Sequence, residues 1–335
     1  MSKAKAAVEG RRSFSERNRL SGGYLLKKTT GSVVLKILRF VLIFGLCFMI
    51  LEPIVNKFCV SIMTEKDLYD TTINILPRHL TTANYSVVME LMNYWKALFN
   101  SLWISIAVSI VQICACTLVG YGFARFNFPL KKFWFACVIL IILIPPQTIS
   151  SPLYLHFRFF DVFGLFETFT GSAVNLRGSV IPYFLMSAGC MGLKNGLYIF
   201  LVRQFFRGIP KELEEAAYVD GCGTLYTFVR IMLPDAKPII TSCFLFSFVW
   251  QWTDSFYSAL FIGGKDLLST GLASLADNYT NYYQIVNQRT GLASEALLQQ
   301  MNATGVLLVV VPIILLYLIA QKGFVESLSS TGIKM

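Results

Sequence analysis

Residues Ile209–Pro238 read I-P-K-E-L-E-E-A-A-Y-V-D-G-C-G-T-L-Y-T-F-V-R-I-M-L-P-D-A-K-P. Pro210 stands where a first helical turn tolerates it, because an N–H at that place has no intrahelical partner. Lys211 to Asp220 contains no helix breaker, and Gly221 follows as a C-terminal stop. The spacing predicts a helix of about ten residues. Ala216 and Ala217 give it a low-profile patch, which lets another backbone or helix end approach closely. Glu214, Glu215 and Asp220 are placed to pair with basic groups on a partner.

Working outward, this polar segment is flanked on both sides by long apolar runs. The whole chain is 55% hydrophobic and 14% charged, with a mean hydropathy of +0.59. Soluble domains carry roughly a quarter charged residues. Runs of about 20 apolar residues cross a bilayer as helices, where every backbone polar group must be satisfied internally. Six candidates are found: Val33–Val55, Leu102–Phe123, Phe133–Ile149, Ser179–Val202, Ile239–Phe261 and Thr304–Ala320. Kinks or breaks are expected at Glu52-Pro53 and at Pro145-Pro146. The reading is an all-α membrane protein with six transmembrane helices in residues 33–320. Residues 1–32 form a basic cytosolic tail and 321–335 a short cytosolic one.

Orientation follows from the basic residues. With the N-terminus inside, the cytosolic segments together with the inner end of the first span (Lys36 and Arg39) hold 20 of the 29 Lys and Arg, in keeping with the positive-inside rule. The N and C termini and the loop 203–238 are then cytosolic. The two long outside connections, of about 45 and about 40 residues, are rich in Tyr and Asn, as suits a docking surface. The net charge of +10 comes largely from the N-terminal tail, which is expected to lie against anionic lipid headgroups or to stay disordered. No nucleic-acid partner is needed to explain it. The apolar stretch begins too late and runs too long for a secretory signal peptide.

Enzymatic signatures do not emerge. Gly263-Gly264-Lys265 lacks the remainder of a G-x-x-x-x-G-K-S/T phosphate loop. The eight cysteines have no zinc-like spacing and read as small packing residues. His79 and His156 are far apart in sequence. No catalytic, metal or cofactor site is expected.

The residues Glu215-Ala216-Ala217, Asp220-Gly221, Ile231, Leu233-Pro234 and Pro238 resemble the "EAA" loop of ABC-importer permeases, with the spacing kept throughout. The resemblance widens along the chain to the maltose-type, carbohydrate-uptake branch. It takes in Asn84-Tyr85, Asn100-Ser101-Leu102, Ile144-Pro145-Pro146-Gln147, Pro152-Leu153-Tyr154, Arg203-Gln204-Phe205-Phe206 and Trp252-Thr253-Asp254. It ends on Phe324-Val325-Glu326-Ser327-Leu328 and Gly332-Ile333-Lys334. Asp254 stands where this family often has Asn, Ser327 where Gly is common, and Met335 in place of a usual Gly.

The resemblance implies an ABC type I importer permease fold in the cell membrane, multi-pass. The implied partners are a second homologous permease, two ABC ATPase subunits that bind the ATP, and an extracellular solute-binding protein that delivers a sugar. The chain itself would be non-catalytic. Glu214, Glu215, Ala216, Ala217, Asp220, Gly221, Leu233 and Pro234 would couple it to the ATPases. A permease for a peptide, amino acid or polyamine is the alternative, and a self-powered carrier or membrane enzyme is the third class.

Polar and aromatic groups at membrane depth often face a cavity. They give a candidate solute pathway of Gln147, Lys194, Asn195, Gln251, Trp252, Asp254 and Tyr257. Lys194 stands ~13 residues before Arg207, about 20 Å along a helix. It either meets an anionic or hydroxyl-rich solute, pairs with Asp254 or Glu52, or is exposed by a break between Gly192 and Gly196. Trp252 is either a sugar platform or a packing residue.

Overall fold

The computed structural model describes residues 19, 20, 22, 24–73, 75–162, 164–263, 266–287 and 293–332. Most of the basic tail, Gly264-Lys265 and the terminal Ile333-Lys334-Met335 lie outside them. The described residues are helical, with no strand among them and two isolated bridges, Met63 to Leu80 and Phe160 to Val174.

Helix α1, Tyr24–Ser61, runs as one 38-residue helix, with Pro53 inside it. Of the kink or break expected at Glu52-Pro53, the break is absent. Its apolar side chains stand exposed, Phe40 at 68% and Ile50 at 68%. Such a surface is a liability in water and the correct one in hydrocarbon.

From Val60 onward the chain forms a second unit. Its elements are α2 (Ala83–Leu91), α3 (Tyr94–Arg125), α4 (Lys131–Leu143), α5 (Ser150–Arg158), α6 (Ile181–Ala188), α7 (Asn195–Gly208), α8 (Glu212–Val219), α9 (Lys237–Thr253), α10 (Leu275–Asn287) and α11 (Glu295–Gly332). Helix α3 is the central post. Val108, Ile113, Cys116 and Tyr121 on it are buried against α6, α7 and α9. Gly120 allows a close approach of α7: a Cβ there would lie 2.9 Å from Val202 Cγ1 and 3.2 Å from the Arg203 nitrogen. At the other end, Val88, Met92, Trp252, Leu275 and Met301 join α2, α9, α10 and α11 into a separate core.

Among the described residues, three helices are long and apolar enough to cross a membrane: Thr30–Ser61, Tyr94–Arg125 and Glu295–Ile319. Two bent pairs raise the number to five. Lys131–Leu143 turns by 102° into Pro146–Arg158, and Thr224–Asp235 turns by 73° into Lys237–Thr253. The first bend is the one expected at Pro145-Pro146: Pro146 has no N–H to continue the ladder, and Ile144 and Pro145 are extended, with ψ of 120° and 137°.

The fourth apolar run, Ser179–Val202, is not one helix. It stops at Ala188 and restarts at Asn195. The stop is a Schellman turn: Cys190 takes the left-handed conformation at φ 59°, and the Met191 N–H reaches the Met186 carbonyl at 2.8 Å. The fifth run ends at Thr253, earlier than Phe261, and a short π-helical stretch, Ser258–Ile262, follows. The sixth helix begins earlier and continues to Gly332.

Part of the Tyr-rich segment packs into the core. Tyr279 is buried on α10 and stacks near Tyr282 and Tyr283, with centroids 6.2 Å apart in each case. Ahead of α2, Asp67 accepts the backbone N–H groups of Arg78 at 2.7 Å and His79 at 2.6 Å. The His79 ring contact and these N–H groups hold its carboxyl below the ordinary carboxylate range.

Candidate functional sites: a tethered polar helix and a half-open cavity

The quoted segment folds as read, with its ends adjusted by one residue. Helix α8 covers Glu212–Val219, with Lys211 as its N-cap. The Gly221 stop is a full Schellman motif: φ is +82°, Gly221 N–H bonds the Tyr218 carbonyl at 3.1 Å, and Cys222 N–H bonds Ala217 at 2.9 Å.

Successive residues on a helix point about 100° apart, so Glu214 and Glu215 part company. Glu214 is buried. Its carboxylate accepts the Tyr121 hydroxyl at 2.9 Å and lies 3.2 Å from Arg125 Nε. Arg125 also donates to the Ile209 carbonyl at 2.8 Å, where the loop begins. Tyr121 is ringed by Phe126, Phe206 and Phe228 at 5.5, 5.2 and 4.6 Å. The polar helix is thus tied to the end of α3 from beneath. Glu214 is consumed within the chain, which corrects the expectation that it pairs with a partner. Ala217 is buried too, so of the two alanines only Ala216 is exposed.

The outer face of α8 keeps Glu215, Ala216 and Asp220 exposed beside apolar groups: Leu213 at 48%, Tyr218 at 43% and Val219 at 87%. Leu225 and Tyr226 extend the surface. Leu233 packs on the core under the loop, and Pro234 is exposed. Pro238 sits in the first turn of α9, where proline costs no hydrogen bond.

Toward the opposite end, a half-open cavity of about 530 Å³ is walled by the end of α4, the Pro145-Pro146 bend, the Gly192–Lys194 break and the end of α9. Gln147, Lys194, Asp254 and Tyr257 line it. Asn195, Gln251 and Trp252 do not. Trp252 is 1% exposed and donates Nε1–H to the Val309 carbonyl at 3.2 Å, so its role is packing. Asn195 and Gln251 belong to a buried polar knot around Gln112. Gln112 bonds the Leu193 carbonyl at 2.6 Å and the Asn195 side chain, and its Oε1 lies 2.5 Å from Ser247 Oγ and 3.4 Å from Gln251 Nε2. Asn195 Nδ2 reaches back to the Ser187 carbonyl at 3.2 Å. In a membrane, buried side-chain amides satisfy each other and freed backbone groups. Here they pin both ends of the helix break to α3 and α9.

Residues 112–327 match the family described as binding-protein-dependent transport system inner membrane component. The chain belongs to that family. The match takes in α8, the polar knot and the cavity, and several apolar helices make this permease a multi-pass membrane protein. It is 28% identical over 294 residues to the arabinooligosaccharides transport permease AraQ of Halalkalibacterium halodurans, covering 86% of this chain and 93% of that one. It is 29% identical to the melibiose/raffinose/stachyose import permease MelC of Bacillus subtilis, covering 78% and 83%. In fold it is similar to a bacterial ABC transporter involved in the import of the acidic polysaccharide alginate, with a TM-score of 0.65 and 17% identity over 87% of this chain and 97% of that chain. A related structure holds that transporter with an alginate-pentasaccharide-bound periplasmic protein, at a TM-score of 0.60 and 14% identity over 88% and 95%.

Within the permease, the cavity wall contains residues that sequence reasoning passed over. Trp250 lines it, 45% exposed, with Lys194 Nζ 4.8 Å from its ring centroid. Tyr183 donates its hydroxyl to Asp254, whose carboxylate also caps the next turn through the Tyr257 and Ser258 N–H groups at 3.3 and 3.1 Å. The Trp-Gln-Trp-Thr-Asp run carried the only usable signal: on a helix, Trp250 and Trp252 face about 200° apart, so one of them had to leave the core.

Proposed function

We propose that this permease is the membrane subunit of an ATP-driven importer that moves a sugar or oligosaccharide delivered by an external solute-binding protein. The observation that carries the reading is α8: a short helix with an apolar and acidic outer face, locked to α3 from within by Glu214 and Arg125. A force applied to such a helix reaches the spans rather than bending a loop. In this reading six spans cross the membrane, both termini and α8 face the cytosol, and α8 sits in a groove of one of two ATPase subunits. A second, homologous permease completes the pathway. ATP and any catalysis belong to the ATPases. Closure of the ATPase pair favours one of two global states, and hydrolysis resets the other, so differential affinity supplies the work. Sugar as the cargo is supported by the names of the relatives and by an aromatic, hydrogen-bonding cavity.

The test is purification of the tagged chain from its own membranes, followed by reconstitution with labelled oligosaccharides. An ATPase subunit is expected to co-purify, and uptake is expected to need ATP and the binding protein. Uptake by this chain alone, driven by an ion gradient, overturns the proposal.

A further inference from the structure

The cavity carries an imbalance of charge. Two groups that carry a charge at neutral pH line it, Asp254 and Lys194. The Asp254 carboxylate is already engaged on both oxygens: Oδ2 accepts from the Tyr183 hydroxyl and the Ser258 N–H, and Oδ1 from the Tyr257 N–H. It is also 9% exposed, drawn back into the wall. Lys194 is in the opposite condition. It is exposed, and no ion pair joins it to Asp254 among the described residues. Among the described residues its side chain contacts the face of Trp250, a weak tie at an exposed site, and no hydrogen bond there engages its three ammonium N–H donors.

Its backbone, by contrast, is fixed. Lys194 holds φ +62° at the head of α7, with its carbonyl bonded to the Leu197 and Tyr198 N–H groups at 3.0 and 3.3 Å. The preceding Leu193 carbonyl is held by Gln112 at 2.6 Å. A tethered cation thus stands beside an aromatic face, in a cavity otherwise lined mainly by Ile, Leu and Pro. An uncompensated charge at membrane depth is costly and marks a functional group.

Resting on the importer reading above, we propose that the cavity takes an anionic saccharide: a sugar ring lies along Trp250 while its carboxylate accepts hydrogen bonds from Lys194. Neutral sugars satisfy the ring contact and leave the ammonium without a counter-charge. A uronide satisfies both.

The experiment uses the assembled importer in detergent, without the binding protein, so that the permease alone selects. Calorimetry compares trimers of galacturonate, glucuronate and mannuronate with their fully methyl-esterified forms, which keep the ring and remove the charge. Basal ATP turnover reports assembly of each variant. The acids are expected to bind about tenfold or more tighter than the esters, the size expected of one charge-assisted hydrogen bond. K194R is expected to keep most of that preference and K194M to abolish it. Both variants carry the same backbone demand at φ +62° as the lysine, so folding does not separate them. Equal binding of acids and esters, or a preference untouched in K194M, overturns the proposal while the sugar-importer reading stands. Binding of none of these trimers, acid or ester, likewise overturns this proposal and leaves the sugar-importer reading to its own uptake test.

Discussion

Gly221→Val is expected to reduce ATP-driven uptake several-fold or more, while the chain still inserts in the membrane. At +82° the residue adopts a conformation that glycine reaches freely and a β-branched residue strongly resists. The cost is about 1–2 kcal/mol for an ordinary side chain in the left-handed region, a factor of roughly 5–30 in a two-state population. A Cβ at Gly221 meets no atom within 4 Å, so the effect arises from backbone conformation and not from collision. Relief comes by opening the turn, which breaks the Cys222 to Ala217 bond and swings the end of α8 away from its docked position. Asparagine tolerates this region better than other non-glycine residues, so Gly221→Asn is the matched control and is expected to retain much more uptake. ATP hydrolysis should continue in the valine variant, now detached from transport. Equal uptake by the wild type, the asparagine and the valine variants would remove α8 geometry from the mechanism.

The second large effect is expected beneath the helix. Glu214→Ala leaves Arg125 buried, with side-chain exposure of 6%, and strips Tyr121 of its acceptor. Removing one member of a buried ion pair costs about 3–5 kcal/mol, because the remaining charge stays desolvated. The loss is local: amide exchange of residues 209–221 should accelerate strongly, and uptake should collapse. Replacing both partners with apolar groups, as in Arg125→Met with Glu214→Leu, removes the charge penalty. That double variant is expected to recover the slow exchange of the loop. Exchange in Glu214→Ala that matches the wild type would show that the pair does not hold α8.

Much of this was legible in the sequence, and the failures have physical causes. Pro145-Pro146 announces its bend because a missing N–H is a local property. Gly221 announces the end of α8 for the same reason. Pro53 does not end α1, because a proline within a long apolar helix can be absorbed where the rest of the ladder is intact. The division of labour between Glu214 and Glu215 was not readable, since it depends on where α3 stands, and nothing in the segment states that. Trp250 and Trp252 pose the same problem two residues apart. In the fourth apolar run Gly192 and Gly196 hinted at a break that would expose Lys194, but its bounds were not legible, because they are built from Cys190 and Lys194 in left-handed conformation and from amides on two other helices. Single-sequence patterns see composition along the run but not the Gln112 knot that holds it open. Hydropathy finds spans; it does not find which side chain a neighbouring helix will consume.

The central claim is that the outer face of α8 receives force from a separate ATPase. A photoreactive side chain at Val219, 87% exposed on that face, tests it most directly, with Leu76, 77% exposed on the connection before α2, as the control. Illumination of the transport-competent complex is predicted to join Val219 to the ATPase subunit in high yield and Leu76 not at all. An importer that still transports, and whose ATPase is never captured from Val219, would contradict the account.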